Sequence, residues 1–335
     1  MKKNIAVMCG GPGAEAGISL KSGDIVCQYL DKEKYNVYKV LIEEHNWVAE
    51  CEGTQSVVDK NDFSVVIAGS KVKFDAVFIA IHGTPAEDGR LQGYLDMMGI
   101  PYNCCGVMTA AITFDKSRTK EYLRPFGILS AQSVVAKRDD DRSQLSQKIN
   151  QELTYPLFVK PNKNGSSYGA SKVDTADALD AAIRLAFDYD DEILAEEYIK
   201  GTEVTCGVIR YQGRVTALPL TEIRSKNAFF DYQAKYEGHS REVTPAEIDP
   251  AIAQKIQATS AAIYEKLDFK GMCRIDYILR DGQYYMLEVN SVPGLSAESI
   301  VPQQARAFGL TLTELFGNSI DACLSAAKAD YADIE

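Results

Sequence analysis

Arg274 and Asp276 lie two apart in one strand-like run, and Glu288 and Asn290 lie two apart in the next. Residues two apart on a strand share a face. The turn at Asp281-Gly282 decides whether the two pairs meet. A two-residue turn opposes Asp276 to Leu287 and sends the carboxylates to different faces. A three-residue loop, 281–283, opposes Asp276 to Glu288 and groups Ile275, Tyr277, Leu287 and Val289 on one apolar face. This second register is expected. Two carboxylates and an amide oxygen so clustered are hard oxygen ligands, suited to magnesium bridging phosphates. The plain alternative is a solvated strand face with an Arg274–Asp276 ion pair. It is weakened by Ser291-Val292-Pro293-Gly294, a turn able to present a backbone N–H.

The matching phosphate candidate is Lys160-Pro161-Asn162-Lys163-Asn164-Gly165-Ser166-Ser167-Tyr168-Gly169. A strand ending in lysine gives way to a loop with glycines, hydroxyls and backbone N–H groups, which can cradle phosphate oxygens. A polar hairpin turn is the bland alternative. The N-terminal Gly11-x-Gly13-x-x-Ala16 fits a dinucleotide fingerprint only weakly. Glu15 inside the helix entrance repels a pyrophosphate, and Glu43 and Glu44 come late for the ribose contact. Gly-Lys never occurs, which excludes a Walker A loop. His82 opens the segment 82–89 at the carboxyl end of a strand, where open α/β sheets bind ligands.

These groups need scaffolds. Residues 4–9, 35–42 and 74–81 read as strands, with helices over 19–30 and 91–98 and a short strand at Ile100-Pro101-Tyr102. Such alternation means a parallel sheet with crossover helices. A second unit follows: helix 116–126, strand 132–136, a charged link over 137–142, and strands 155–160 and 170–173. Its next helix carries Leu179, Ala182, Ile183, Ala186 and Phe187 on one face, capped by Asp174 or Thr175, and strand 193–199 closes the unit. The third unit has strands 204–210 and 215–219 and an aperiodic polar stretch, 222–241, read as a long functional loop. A helix opened by Asp249-Pro250 follows, with Ile252, Ile256, Ile263 and Leu267 inward, then the hairpin and a final helix. The division is 1–105, 106–195 and 196–335.

The 335 residues carry 36 Lys+Arg against 47 Asp+Glu, a net charge of -11, with 46% hydrophobic and 25% charged residues. That is an ordinary globular composition of two or three domains. Its acidity argues against general nucleic-acid binding, which needs Lys and Arg density, but not against a small anion met by a local donor cluster. The apolar run after Lys2 and Lys3 is too short for a signal peptide, and the longest, 76–81, is too short to span a bilayer. Eight cysteines form no C-x-x-C pair, and histidines at 45, 82 and 239 complete no zinc pattern. Buried thiols in a reducing cytoplasm are expected.

Taken together, these segments resemble the D-alanine–D-alanine ligases of the ATP-grasp superfamily. The resemblance rests on GGPGAE at 10–15, HGTPAEDGRLQGYLDMMGIPY at 82–102, FDK at 114–116, VKPNKNGSSYGASKV at 159–173, EEYIKGTEV at 196–204, FFDYQAKY at 229–236, RID at 274–276 and LEVNSVPGLSAESIVPQ at 287–303. They occur in the family's order over nearly the whole chain. The resemblance implies an α/β ATP-grasp fold: an N-terminal parallel-sheet α/β domain, a central α+β domain and a C-terminal α+β domain. It implies ATP- and magnesium-dependent synthesis of a D-alanyl dipeptide for peptidoglycan, with D-alanine–D-serine or D-alanine–D-lactate ligation as the alternative. ATP falls to Lys116, Lys160, Ser166, Ser167, Glu196, Glu197, Ile199, Glu203, Phe229 and Lys235. Two Mg2+ ions, or Mn2+, fall to Asp276, Glu288 and Asn290. Glu15 and His82 take the first amino acid's ammonium; Ser299, beside Ile300, takes the second one's carboxylate. Arg274 and the Gly294 N–H stabilise the oxyanion, and Glu15, Ser166 and Tyr236 hold the lid loop shut. Pro12, Gly13, Gly17, Ala86, Tyr168 and Glu197 stand at positions where relatives differ, which bears on binding strength rather than reaction type. A homodimer through the N-terminal unit is also implied.

Overall fold

The computed structural model describes residues 2–43, 46–51, 53–225 and 240–332. Strand β1 (Lys3–Gly10) is buried from Ile5 onward, as a strand covered on both faces must be. Helix α1 (Ala16–Tyr29) follows, and its buried Ser19 accepts from the Gly10 N–H and donates to the Ala80 carbonyl, both at 2.8 Å. One hydroxyl thereby fixes the helix start against two strand ends. Strand β2 (Tyr35–Glu43) pairs with β1 in parallel. Then β3 (Asn46–Cys51), β4 (Thr54–Asp59), β5 (Ser64–Ile67) and β6 (Ser70–Lys73) run antiparallel outward from β2. β7 (Ala76–Ile79) joins the other side of β1 in parallel, so the order is β6-β5-β4-β3-β2-β1-β7. The expected parallel centre carries an antiparallel extension that the sequence reading leaves unassigned. Helix α2 (Arg90–Met97) follows the 82–89 segment. Residues 100–102, expected as a strand, contribute only a bridge between Val77 and Tyr102.

Helices α3 (Val107–Phe114) and α4 (Lys116–Leu123) come next. Asp115 caps α4 by accepting from the Arg118 N–H at 3.0 Å, and Asn162 ties that cap to the sheet by donating to Asp115 at 2.8 Å. The second sheet contains β8 (Ser133–Lys137), then, after α5 (Arg142–Glu152), β9 (Leu157–Pro161) and β10 (Ser171–Val173), and, after α6 (Leu179–Phe187), β11 (Glu192–Glu197). Its order is β10-β9-β11-β8, all antiparallel. The five predicted core residues of α6 are all buried. Thr175, expected as its cap, instead heads a short 3-10 turn that precedes the helix.

The third sheet holds β12 (Thr202–Tyr211), β13 (Arg214–Ala217), β14 (Thr221–Ser225) and β15 (Ser240–Val243). After α7 (Pro250–Lys266) come β16 (Met272–Arg280) and β17 (Gln283–Asn290), then α8 (Ile300–Phe308) and α9 (Leu312–Ala332). The order is β15-β14-β12-β16-β17, with β13 on β12. The polar stretch 222–241 therefore leaves and re-enters on paired strands, Glu222 opposite Val243. Cys105, Ala110 and Leu123 share an apolar cluster with Val204, Ile275 and Tyr277, so α3 and α4 pack on this sheet although the 106–195 division places them with the central unit. Gly271 seals the contact to the N-terminal unit: at φ +73° a Cβ would lie 1.7 Å from the Asn103 carbonyl oxygen, so only glycine fits.

Asp249 caps α7 as expected, accepting from the Ala251 N–H at 2.7 Å and the Ile252 N–H at 3.3 Å with Pro250 at the first helical position. Asp249→Ala should cost ~1 kcal/mol, read as a lower urea midpoint at unchanged slope. An unchanged midpoint would remove the cap from the helix's stability.

All eight cysteines are free thiols, and burial pushes Cys104 up to about 12. Among the described residues no helix is long and apolar enough to cross a membrane.

Candidate active site

The β16–β17 hairpin departs from its expected turn yet keeps the expected pairing. Arg280 opposes Gln283, so the turn has two residues, Asp281 and Gly282, at φ +51° and +77°. Positive φ at both central positions is what a tight hairpin needs to follow strand twist. The register then shifts between Tyr277 and Asp276: Tyr277 opposes Met286, but Asp276 opposes Glu288 and Arg274 opposes Asn290. This β-bulge supplies the one-residue slip that the three-residue loop was expected to supply. It also corrects the place of Leu287, which lines the ligand pocket beside Ile278 instead of joining the apolar face. Met286 takes the inward position with Tyr277 and Val289.

Asp276 is the hub of this face. Arg274 grips it with both guanidinium arms, Nε to Oδ1 at 2.9 Å and an Nη to Oδ2 at 2.8 Å. The Thr205 hydroxyl donates to Oδ1 and the Asn290 amide to Oδ2 at 3.0 Å. Four donors use the acceptor capacity of one carboxylate. Glu288 faces the Lys116 ammonium at 3.3 Å. Two carboxylates and an amide oxygen are a hard donor set that fits magnesium or manganese. The fit requires the Asn290 amide to turn, since its nitrogen faces Asp276 and its oxygen would be the ligand. Among the described residues no three His, Cys, Asp or Glu side chains alone could hold a metal, so the amide is needed.

Opposite lies a cluster of lysines. The Lys160 ammonium donates to Glu196 at 2.6 Å, and Lys120 donates to the other oxygen of the same carboxylate. Lys116 donates to the Asn164 carbonyl at 2.6 Å. Glu196 loses solvation by burial, yet Lys120 and Lys160 outweigh that loss and hold its carboxyl at about 2. Lys120 is also pulled down, first by burial and then by Lys160 and Lys116 against the single Glu196. Around the Glu196 carboxylate two ammonium groups share one anion, an arrangement that leaves donor capacity for a further anion.

The glycine-serine loop closes this side. Ser166 and Ser167 adopt left-handed backbone at φ +50° and +59°, an arrangement costing ~1–3 kcal/mol per residue outside glycine. Ser166 Oγ donates to Glu15 Oε1 at 2.5 Å, while Glu15 Oε2 lies beside Gly165, where a Cβ would come within 2.7 Å. The N-terminal turn and the phosphate loop are thus latched by a residue pair 151 positions apart. One pocket joins Lys116, Lys160, Ser166, Ser167, Glu196, Glu197, Ile199, Glu203, Arg274, Asp276 and Glu288, with Phe158, Ile223, Ile278 and Leu287 as apolar walls. A roomier cavity between Tyr102, Arg210, Lys270 and Cys323 holds none of the predicted site residues.

The amino-acid side of the site is built from loops. His82 is buried, its Nδ1 donating to the Val292 carbonyl at 2.9 Å and its Nε2 2.9 Å from the Ser22 hydroxyl. Burial lowers its pKa, so the ring is neutral and fastens the strand end to the 291–295 turn. Glu87 accepts from the Gly83 N–H at 3.0 Å and the Val292 N–H at 3.2 Å, and burial followed by the nearby Glu15 charge raises it to about 7. Ser299 precedes α8 and turns its hydroxyl to Ser296 at 2.8 Å rather than to the helix. A Cβ on Gly294 would lie 2.8 Å from Ser299 Oγ, so glycine keeps this corner open. Ile300 is buried beside it. Phe229, Lys235 and Tyr236 lie outside the described residues.

Sequence reasoning missed Lys120, Thr205, Ser22 and Glu87. Lys120 stands one helical turn from Lys116, and Thr205 stands two from Glu203 on β12 opposite Asp276, so period alone could have found both. Nothing local marks Ser22.

Residues 4–105 match the family model described as D-ala D-ala ligase N-terminus, and residues 123–321 the one described as D-ala D-ala ligase C-terminus. A D-alanine–D-alanine ligase of Flavobacterium johnsoniae is 46% identical over 324 residues, 96% of this chain and 100% of that protein. One of Bacteroides fragilis is 42% identical over 96% of this chain and 99% of its own. Among solved structures, the VanG D-Ala:D-Ser ligase from Enterococcus faecalis superposes with a TM-score of 0.87 at 31% identity, covering 96% of this chain and 99% of that one. The D-alanine–D-alanine ligase from Bacillus anthracis complexed with ATP gives 0.78 at 28%, covering 98% and 99%.

Proposed function

The chain belongs to the D-alanine–D-alanine ligase family, and we propose that its cleft joins two D-alanines through an acyl phosphate made from ATP, for peptidoglycan precursors. The observation that carries this reading is the pocket that sets Lys116, Lys160 and the Ser166-Ser167 loop against the Asp276–Glu288 pair. Cations and N–H groups on one wall suit a polyphosphate, and carboxylates on the other suit its counter-ion.

The steps follow from the chemistry. A carboxylate is a poor electrophile, so the first D-alanine, its ammonium held by Glu15, is phosphorylated by ATP and ADP leaves. Lys116, Lys160 and the loop N–H groups hold the phosphates in line. His82 acts by fixing the 291–295 turn, since the protein already engages both ring nitrogens. The second D-alanine's amine attacks the acyl carbon, and negative charge grows on the carbonyl oxygen where Arg274 and the Gly294 N–H stand. Collapse of that intermediate expels phosphate and leaves the amide. Ser299 and the first N–H groups of α8 would take the second carboxylate at a helix N-terminus. Magnesium held by Asp276, Glu288 and Asn290 supplies charge neutralisation at the transferring phosphoryl group when bound.

The same reading takes ATP from Glu196, Glu197, Ile199, Glu203, Phe229 and Lys235, has Tyr236 close the lid, puts Ile300 at the second subsite, divides the chain at 105 and 195, and places the enzyme in the cytoplasm as a homodimer. Phosphate release from ATP and Mg2+ tests the function. D-alanine alone should support turnover, whereas L-alanine should not. Faster release with D-alanine plus D-serine or D-lactate would move the chain to the alternative specificity, and no D-alanine-dependent release would end the proposal.

A further inference from the structure

Against the glycine-serine loop packs the turn joining α6 to β11, whose residues do not line the pocket. Tyr189 of this turn stacks on Tyr168 of the loop, with ring centroids 6.1 Å apart and planes inclined by 21°. Gly169 fits against the same ring. At φ +71° it is left-handed, and a Cβ there would stand 2.6 Å from Tyr189 Cδ2 and 3.0 Å from Pro161 Cγ. Asp190 adds a polar tie, accepting from the Lys163 N–H at 2.6 Å and from the Glu192 N–H at 3.2 Å. The turn therefore grips the loop at its entry, Lys163, and at its exit, Tyr168-Gly169. Between these grips stand Ser166 and Ser167, both left-handed and both lining the pocket.

Nothing in the core requires an aromatic residue at 189. The buried face of α6 ends at Phe187, and Tyr189 is 48% exposed. We propose that Tyr189 is a positioning residue for ATP: its ring clamps Tyr168 and Gly169 so that Ser166 and Ser167 keep the left-handed backbone that aims the loop at phosphate oxygens. The inference rests on the ATP reading of that loop. A sequence of left-handed non-glycine residues relaxes toward ordinary backbone unless its surroundings hold it. A loop held in the bound shape spares ATP the cost of ordering it, so the clamp acts on nucleotide affinity rather than on the chemical step.

Tyr189→Ala should raise the KM for ATP about five- to tenfold, in the upper part of the roughly two- to twelvefold range a lost aromatic pair covers. Its kcat and its KM for D-alanine should stay within about twofold of the parent. Direct ATP titration should show the same loss. Tyr189→Phe keeps the ring and should behave as the parent, while Tyr189→Leu, which keeps bulk without stacking, should show the same loss of ATP affinity and stands in for the alanine variant should that one fold poorly. Tyr168→Ala combined with Tyr189→Ala should be no worse than Tyr168→Ala alone, because both remove one interaction. Unchanged ATP affinity in folded Tyr189→Ala and Tyr189→Leu, or additive losses in the double variant, would overturn the clamp. A parent enzyme lacking D-alanine-dependent phosphate release would instead overturn the ligase reading, so the two failures are distinct.

Discussion

Glu288→Gln should lower D-alanine-dependent phosphate release by about a thousandfold or more, since several kcal/mol of charge stabilisation correspond to that factor. The side chain is 25% exposed and stands directly across the hairpin from Asp276. Glutamine preserves its length and one acceptor oxygen but removes the charge, so the strand pairing survives while the hard anionic donor is lost. Lys116 keeps its bond to the Asn164 carbonyl, which is why the unfolding free energy from urea titration should move by no more than ~0.5 kcal/mol. A second readout separates a lost cation from a damaged fold. Mn2+ titration in the presence of ATP should show weakened metal binding in Glu288→Gln. Activity above a tenth of the parent, with unaltered Mn2+ binding, would remove Glu288 from the metal site.

The pairing behind that prediction was legible from polarity alone, although its mechanism was not. Arg274, Asp276, Glu288 and Asn290 have to share a face because their neighbours at 273, 275 and 289 are buried apolar residues. That requirement fixes the register near Asp276, whereas the turn obeys its own local chemistry, Asp-Gly with two positive φ values. The two demands differ by one residue, and the bulge absorbs the difference. The misplaced Leu287 follows from assuming one uninterrupted ladder.

The unassigned strands over 46–73 fail for another reason. They are short, only half-buried and interrupted by Gly53 and Gly69 at positive φ, so their alternation is weak beside that of β1. Long-range partners were the least readable. Glu15 and Ser166 were joined only through the resemblance, and although its spacing from Lys116 marks Lys120, nothing local marks its partner Glu196, 76 residues away.

That last contact carries the largest expected loss of stability. Glu196 is a buried carboxylate between two ammonium groups, Lys120 and Lys160, and its side chain is 4% exposed. Glu196→Gln removes the anion and leaves both cations buried against a neutral amide. Removing one partner of such a buried pair costs about 3–5 kcal/mol, because the surviving charge stays desolvated. The urea midpoint should fall accordingly. Adding Lys120→Met to Glu196→Gln should recover part of the loss, since a buried cation then gives way to an apolar chain of similar length. The pH dependence follows from the carboxyl, held at about 2 against an ordinary 4.5. A folded pKa below the unfolded one means that the stabilisation is complete above the ordinary value and drains away as pH falls through the folded one. The gap in stability between parent and Glu196→Gln should therefore be constant from about pH 8 to 5, narrow below about pH 4.5 and close near pH 2. A gap that persists unchanged into acid would show that Glu196 contributes by packing rather than by charge. A double variant no more stable than Glu196→Gln would show that the uncompensated lysines are not what the carboxylate holds in place.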